Sequence, residues 1–226
     1  MIGFRSVLAG SIVFLAVAAF LPWQSSHLGL EWVATRQDLH VMRNEVTIAQ
    51  WRQCVVEGGC SFMPRPGLGA VDDMFPVTGV GALDAQEFVN WAAQRTGKNV
   101  RLPTLDEWHG FSALPPVRPA RLFTDPRLAW AATYGSESKI DPTLRHQGGF
   151  GENELGVSDV KGNVWEWTSS CVMKNASARC PGFFAAGSHD AKISIFVRDP
   201  STGGCATGTP PAHVGLRLVY GGAAEQ

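Results

Sequence analysis

Four side chains that carry oxygen ligands lie close together in the second half of the chain: Asn153, Asp159, Asn163 and Glu166. Calcium binds roughly six to eight oxygen atoms in flexible geometry, so such side chains form sites together with backbone carbonyl groups. Asn153 with Asp159 would hold one calcium ion, and Asn163 with Glu166 a second. The alternative is structural, with Asn163 and Asp159 stabilising turns while Glu166 pairs with an arginine.

Glu166 stands between two tryptophans, Trp165 and Trp167. In an extended strand successive side chains point to opposite faces, so the two indoles share one face and the carboxylate takes the other. An unpaired buried charge is very costly, and Glu166 therefore needs either a cation or a hydrogen-bonding partner.

The chain has five cysteines, which favour an oxidising compartment. Cys54 and Cys60 flank a turn, and Cys171 and Cys180 flank a short polar loop, so a local disulfide is predicted within each pair. Cys205 is left over and is the candidate catalytic thiol. It is a buried inert thiol, a partner of Cys171 or Cys180 that leaves the other free, or a reactive or metal-binding thiol.

Histidines supply a further candidate site. His189 and His213 are candidates for lining a ligand groove, and two of the residues His146, His189 and His213 would form an altered metal site with Cys205. The alternative for each histidine is a hydrogen-bonded structural role.

Arginines form the last candidate set. Arg198 is a third ligand-groove candidate, because a guanidinium binds carboxylates through two hydrogen bonds. The alternative is that Arg101, Arg198 and Arg217 support the fold, with one of them pairing with Glu107.

The elements that must position these residues are predicted from capping and composition. Paired residues that cap helix starts are Thr47 with Gln50, Asp84 with Glu87, and Thr104 with Glu107. Gly58 and Gly97 are predicted to end the first two helices. Residues 164–168, 193–197 and 216–220 have strand-like composition, and residues 112–150 are predicted to form long ordered loops. No β-α-β alternation occurs, so the sequence predicts an α+β domain.

Composition limits the class of protein. The 226 residues suit one domain, and 19 Lys and Arg against 20 Asp and Glu without a basic run exclude nucleic acid as a partner. Residues 1–23 combine Arg5 with a long apolar run, which predicts a signal peptide or a membrane anchor. The domain then spans residues 24–226, exported to the periplasm or anchored facing the periplasmic or extracellular side.

Five motifs follow one another from about Asn44 to Val219. They are Glu45-Val46-Thr47 with Trp51; Pro76-Val77 with Val80, Asp84 and Ala85; Arg101-Leu102-Pro103-Thr104 with Glu107-Trp108; Asn153 to Trp167; and Gly215-Leu216-Arg217. In this order they resemble the formylglycine-generating enzyme or sulfatase-modifying-factor family. The resemblance implies a C-type-lectin-like α+β fold with little regular secondary structure, and it strengthens the calcium interpretation.

The resemblance also implies a catalytic site that this chain lacks in part. In aerobic members of the family, two cysteines that follow an R-G-G-S segment hold copper, a soft ion that thiolates suit. The corresponding stretch here is Ala185-Ala186-Gly187-Ser188, and residues 189–200 contain no cysteine. We therefore expect a binding or accessory module that helps another exported protein mature. The alternative is a formylglycine-generating-type oxidase that acts on a protein cysteine or small thiol through Cys205 and an altered metal site.

Overall fold

The computed structural model describes residues 28–67, 69–114, 143–173, 180–187, 190–196, 198 and 213–222. In this part of the chain three α-helices combine with seven short strands, which confirms the α+β prediction. The helices are α1 (Ile48–Val56), α2 (Ala82–Thr96) and α3 (Leu105–Ser112). The strands are β1 (Trp32–Ala34), β2 (Leu39–Met42), β3 (Trp165–Cys171), β4 (Gly182–Ala186), β5 (Ala191–Ser194), β6 (Val214–Gly215) and β7 (Val219–Gly221).

The helix starts follow from local capping. Thr47 and Gln50 exchange hydrogen bonds at the start of α1, and Thr104 and Glu107 do the same at α3. Helix α2 begins two residues before the predicted Asp84, because the Asp84 carboxylate accepts a hydrogen bond from the backbone N–H of Gly81 and so sits one turn inside the helix. Gly97 ends α2 in the left-handed conformation, with φ of 65°.

The seven strands form two sheets. The first is antiparallel in the order β1-β2-β7, and the second has the order β5-β4-β3-β6. In the second sheet β4 runs antiparallel to β3, whereas β6 runs parallel to it. The beginnings of β3 and β6 and the end of β4 therefore lie at the same end of this sheet.

Two predicted strands are wrong in part. In the predicted strand 193–197, β5 ends at Ser194 and residues 195–196 form a turn. In the predicted strand 216–220, only Val219 and Tyr220 belong to a strand, β7, whereas residues 216–218 connect β6 to β7. The backbone carbonyls of Leu216 and Leu218 accept hydrogen bonds from Val46 and Met42, so this segment is held by the chain that follows β2. In this connection between β6 and β7, the Arg217 side chain points into the interior and is fully buried.

Aromatic side chains fill the core. Trp51 stacks on Phe88 with 5.4 Å between ring centroids, which locks α1 against α2. Trp167 of β3 is fully buried and donates a hydrogen bond from its indole N–H to the carbonyl of Val80. A second apolar cluster joins α3 to the first sheet through Trp108, Phe111 and Val219.

Both local cysteine pairs are disulfides. Cys54 is bonded to Cys60 across a Cα separation of 5.3 Å, and Cys171 to Cys180 across 5.7 Å. The second bond uses both thiols, so the alternative in which Cys205 bridges one of them is wrong. Cys205 itself, His189 and the N-terminal segment 1–23 lie outside the described residues. Within the described residues, no helix has the length and apolarity to cross a membrane.

Candidate functional site

Three residues form a surface at the common end of β3, β4 and β6, and we call Trp165, Gly187 and His213 the sheet-end surface. Trp165 opens β3 and donates its backbone N–H to the carbonyl of His213, which directly precedes β6. A Cβ atom on Gly187 would come within 2.6 Å of Cδ1 of the Trp165 indole, so the ring lies directly on the glycine backbone. Both Trp165 and His213 are partly exposed.

A loop closes one side of this surface. A Cβ atom on Gly67 would lie 2.7 Å from the hydroxyl of Thr78 and 3.4 Å from Nδ1 of His213. A side chain at position 67 would therefore collide with Leu144, at 2.6 Å, and with Thr78, and the His213 imidazole lies near the same backbone. Thr78 is buried beneath the same loop. His213 and Trp165 are therefore neighbours through their backbones, and both residues are partly exposed.

A second group of chemically active side chains is fully buried. Glu45, Asp159, Glu166 and Arg217 are each at most 1% exposed, and we call them the buried charge centre. The Arg217 guanidinium binds both carboxylate oxygens of Glu166, with Nη2 2.7 Å from Oε1 and Nε 3.0 Å from both oxygens. The indole N–H of Trp108 donates to Glu166 at 2.8 Å. The structural alternative for Glu166, an ion pair with an arginine, is therefore the arrangement found.

Glu45 is the least satisfied member of this centre. No N–H or O–H group of the described residues donates to either of its carboxylate oxygens. Burial raises the pKa of Glu45 well above its usual value, and Asp159 and Glu166 add to this rise whereas Arg217 opposes it. Because Asp159 is its polar neighbour, a hydrogen bond between the two carboxyl groups requires a proton on one of them. The sequence marked Glu45 only as part of a motif and gave no signal of this environment.

The other predicted calcium ligands are occupied by backbone groups. Asp159 accepts hydrogen bonds from the N–H groups of Gly148 and Phe150, one on each oxygen. The side-chain carbonyl of Asn153 accepts from two backbone N–H groups, those of Leu155 and Val157.

Asn163 is the last of the predicted calcium ligands. Its side-chain oxygen accepts a hydrogen bond from the backbone N–H of Arg145, and its side-chain nitrogen donates to the carbonyl of the same residue. The four predicted residues therefore serve separate turns and one ion pair. Among the described residues, no three His, Cys, Asp or Glu side chains are placed to share a metal ion.

The remaining predicted arginines are paired. Arg198 binds Asp84 through two hydrogen bonds of 3.0 Å and lies over the Phe62 ring. Its guanidinium therefore holds a carboxylate of this chain at the start of α2. Arg101 binds Glu107 in the same bidentate way, at 2.6 and 2.7 Å.

A cleft of about 540 Å³ opens between the turn that joins β1 to β2 and helix α3. Its floor is apolar, with Leu39, Phe111 and Leu155, and Asp106 and Glu154 lie at its rim. The volume is that of an ordinary small-molecule site. Its lining contains none of the residues that the sequence predicted as functional, and none of the sheet-end surface.

The whole sequence was compared with known protein families. The sequence matches the family described as the sulfatase-modifying factor enzyme 1-like domain over residues 30–221, most of the chain. The chain belongs to this family. No curated protein matches it in sequence.

Two solved structures share the fold of this sulfatase-modifying-factor-like domain. PvdO from Pseudomonas aeruginosa gives a TM-score of 0.53 at 16% identity, covering 81% of this chain and 80% of PvdO. Variable protein 1 of Treponema denticola gives a TM-score of 0.51 at 15% identity, covering 84% of this chain and 91% of that protein. At such low identity the likeness shows the fold alone.

Residues 185–187, the stretch that the resemblance matches to the family's R-G-G-S segment, lie at the end of β4 and directly after it. Ala185, in the place of the family's arginine, is fully buried and pairs with Trp167 of β3, so its side chain belongs to the core. Gly187 keeps the family's glycine and supports Trp165. The copper and calcium expectations stay predictions.

Proposed function

We propose that this chain is an exported binding domain that holds a segment of another exported protein at the sheet-end surface and assists that protein's maturation. The observation that carries the proposal is the partly exposed Trp165, whose indole lies against the Gly187 backbone and whose backbone N–H bonds the carbonyl of His213. Large aromatic side chains with a polar N–H group dominate the binding energy of protein interfaces, and a rigid support lowers the entropy cost of binding.

The chemistry around this surface favours binding over catalysis. In family members that oxidise cysteines, the strand equivalent to β4 leads into a copper-binding cysteine pair, whereas residues 189–200 of this chain contain no cysteine. Arg198, which follows β5, is committed to Asp84. The partly exposed rings of Trp165 and His213 offer apolar contact, which suits the side chains of an extended peptide.

Export is supported by the cysteine chemistry. Disulfides persist in oxidising compartments and are rare in the cytosol, and the two disulfides of this domain use four of its five cysteines. The apolar segment 1–23 agrees with export or anchoring. The expected partner is therefore a protein of the same compartment, and neither a nucleic acid nor a cytosolic protein.

The proposal is tested by affinity capture from an extract of the exported fraction, followed by quantitative mass spectrometry. The full chain is compared with Trp165→Ala and with the control Trp32→Ala, which removes a partly buried tryptophan from the other sheet. We expect one exported protein to be retained by the wild type and the control and lost with Trp165→Ala. Equal capture by all three variants would remove the sheet-end surface as the binding site.

A second measurement separates binding from catalysis. The chain is incubated with Cu(I), oxygen and a peptide that contains C-x-P-x-R, and aldehyde is sought by mass spectrometry. We expect none. Aldehyde that disappears in a Cys205→Ser variant would identify a thiol oxidase and overturn the proposal.

A further inference from the structure

The buried charge centre differs from what the calcium interpretation requires. A calcium ion needs several oxygen atoms whose lone pairs are directed at one point. Here both oxygens of Glu166 already face the Arg217 guanidinium, and one of them also accepts from Trp108. The guanidinium occupies the side of Glu166 on which both carboxylate oxygens lie, so a calcium ion could bind this carboxylate only by displacing Arg217.

We propose that the ion pair of Arg217 with Glu166 leaves no calcium site in the buried charge centre, so that the domain folds and stays folded without calcium. The inference goes beyond the binding function and is independent of it.

The contacts of Arg217 are those of a structural cation. Besides Glu166, its Nη1 atom donates to the carbonyls of Met42 and Arg43 at 2.9 and 2.6 Å, and its Nη2 atom donates to the carbonyl of Ser158 at 2.8 Å. A guanidinium thereby gathers one carboxylate and three carbonyl oxygens, the ligand types that calcium takes. These oxygens come from the last residue of β2 and the residue after it, from the segment before β3, and from β3 itself.

The remaining oxygens do not provide an alternative calcium site. Asp159, Asn153 and Asn163 accept hydrogen bonds from backbone N–H groups, whose hydrogens point at the side-chain oxygens a cation would need. Glu45 has open oxygens, but a single carboxylate falls far short of a calcium shell.

The test is metal content and thermal stability of the full chain. The protein is purified, divided between excess chelator and excess calcium chloride, and melted. Native mass spectrometry counts bound calcium, and terbium luminescence excited through tryptophan reports a site near Trp108. We expect coincident melting curves, no bound calcium and no sensitised terbium emission.

Three variants of the predicted ligands locate the site of any calcium effect. Asn163→Ala and Asp159→Asn change two predicted ligands, and Glu166→Gln changes a third. The inference would be overturned if the wild-type chain bound one calcium ion per molecule, if chelator lowered its melting temperature, and if any of these variants abolished that shift. If a variant fails to fold, the calcium count and chelator response of the wild-type chain still decide.

Discussion

Arg217 and Glu166 form a fully buried bidentate ion pair, which ties the chain between β6 and β7 to the start of β3. The same guanidinium donates to carbonyls of Met42, Arg43 and Ser158. One side chain thus holds together segments that are far apart in sequence. Losing a partner of such a pair costs more than losing an exposed pair, because the remaining charge stays buried.

We expect Arg217→Met to lower the free energy of unfolding by about 3–5 kcal/mol, since it leaves Glu166 buried and uncompensated. Urea denaturation of the purified domain measures the loss. The double variant Arg217→Met/Glu166→Gln should recover part of it, because the stranded carboxylate is then neutral.

Arg43→Met is the matched control for this prediction. Arg43 also bridges two acidic residues, Glu31 and Glu152, but its side chain is 35% exposed. We expect a loss of about 0–1 kcal/mol. Equal losses for Arg43→Met and Arg217→Met would contradict a special role for the buried pair.

Glu45 gives the stability of the domain a pH dependence of unusual sign. Its folded-state pKa is raised by burial, with Asp159 and Glu166 adding to the rise and Arg217 opposing it. Above the ordinary glutamate pKa the folded state therefore binds more protons than the unfolded state, and its stability falls as pH rises towards the raised pKa. Glu45→Gln has no proton to lose, so its stability relative to the wild type should increase across this range.

Denaturation at a series of pH values checks the prediction. The quantity to follow is the difference in unfolding free energy between Glu45→Gln and the wild type. A difference that does not change with pH would mean that Glu45 is not held in its protonated form.

Glu107 should show the opposite sign. Burial alone would raise its pKa, but hydrogen bonds from Arg101 and Thr104 outweigh burial and hold the pKa below its usual value. The stabilisation is present above the ordinary pKa and is lost as pH falls through the lowered one. We expect Glu107→Gln to cost about 1 kcal/mol at neutral pH and less on acidification.

The design of this variant isolates the ion pair. Gln50 fills the same position in the capping box of α1, which shows that glutamine fits the box. Glu107→Gln therefore keeps the cap of α3, and it removes the charge that faces Arg101 together with one of the two oxygens that accept from the guanidinium. Circular dichroism should show unchanged helix content, and a loss of helix would mean that the cap and not the pair was disturbed.

The sequence predicted what local chemistry controls. Thr47 with Gln50 and Thr104 with Glu107 identified two helix starts because capping involves residues three apart. No local pattern encodes the interruption of the predicted strand 216–220 or the pairing of Glu166 with Arg217. Both depend on contacts with residues that are 51 or more positions away. The support of Trp165 by Gly187 is likewise a contact between strands, and glycine alone gave no indication of it.

Removal of the Cys54–Cys60 disulfide should be costly but tolerated. The bond closes a short loop, with a sequence separation of 6. A loop of this size predicts a loss of about 2 kcal/mol on replacing both cysteines by serine, chiefly because the unfolded chain gains freedom. Peptide mapping without reductant should recover the two cysteines joined, and free thiols at both positions would contradict the pairing.

Gly187→Ala tests the support of Trp165 directly. The new Cβ atom would lie 2.6 Å from the indole, so the ring must move. We expect the free energy of unfolding to fall by about 1–3 kcal/mol. Tryptophan fluorescence should shift, and partner capture should weaken. Gly110→Ala is the control, because a Cβ there meets nothing within 4 Å and the residue lies inside α3. That variant should gain about 0.5–1 kcal/mol from helix propensity and leave partner capture unchanged. Partner capture that survives Gly187→Ala, with the fluorescence shift present, would show that the partner does not contact the displaced indole.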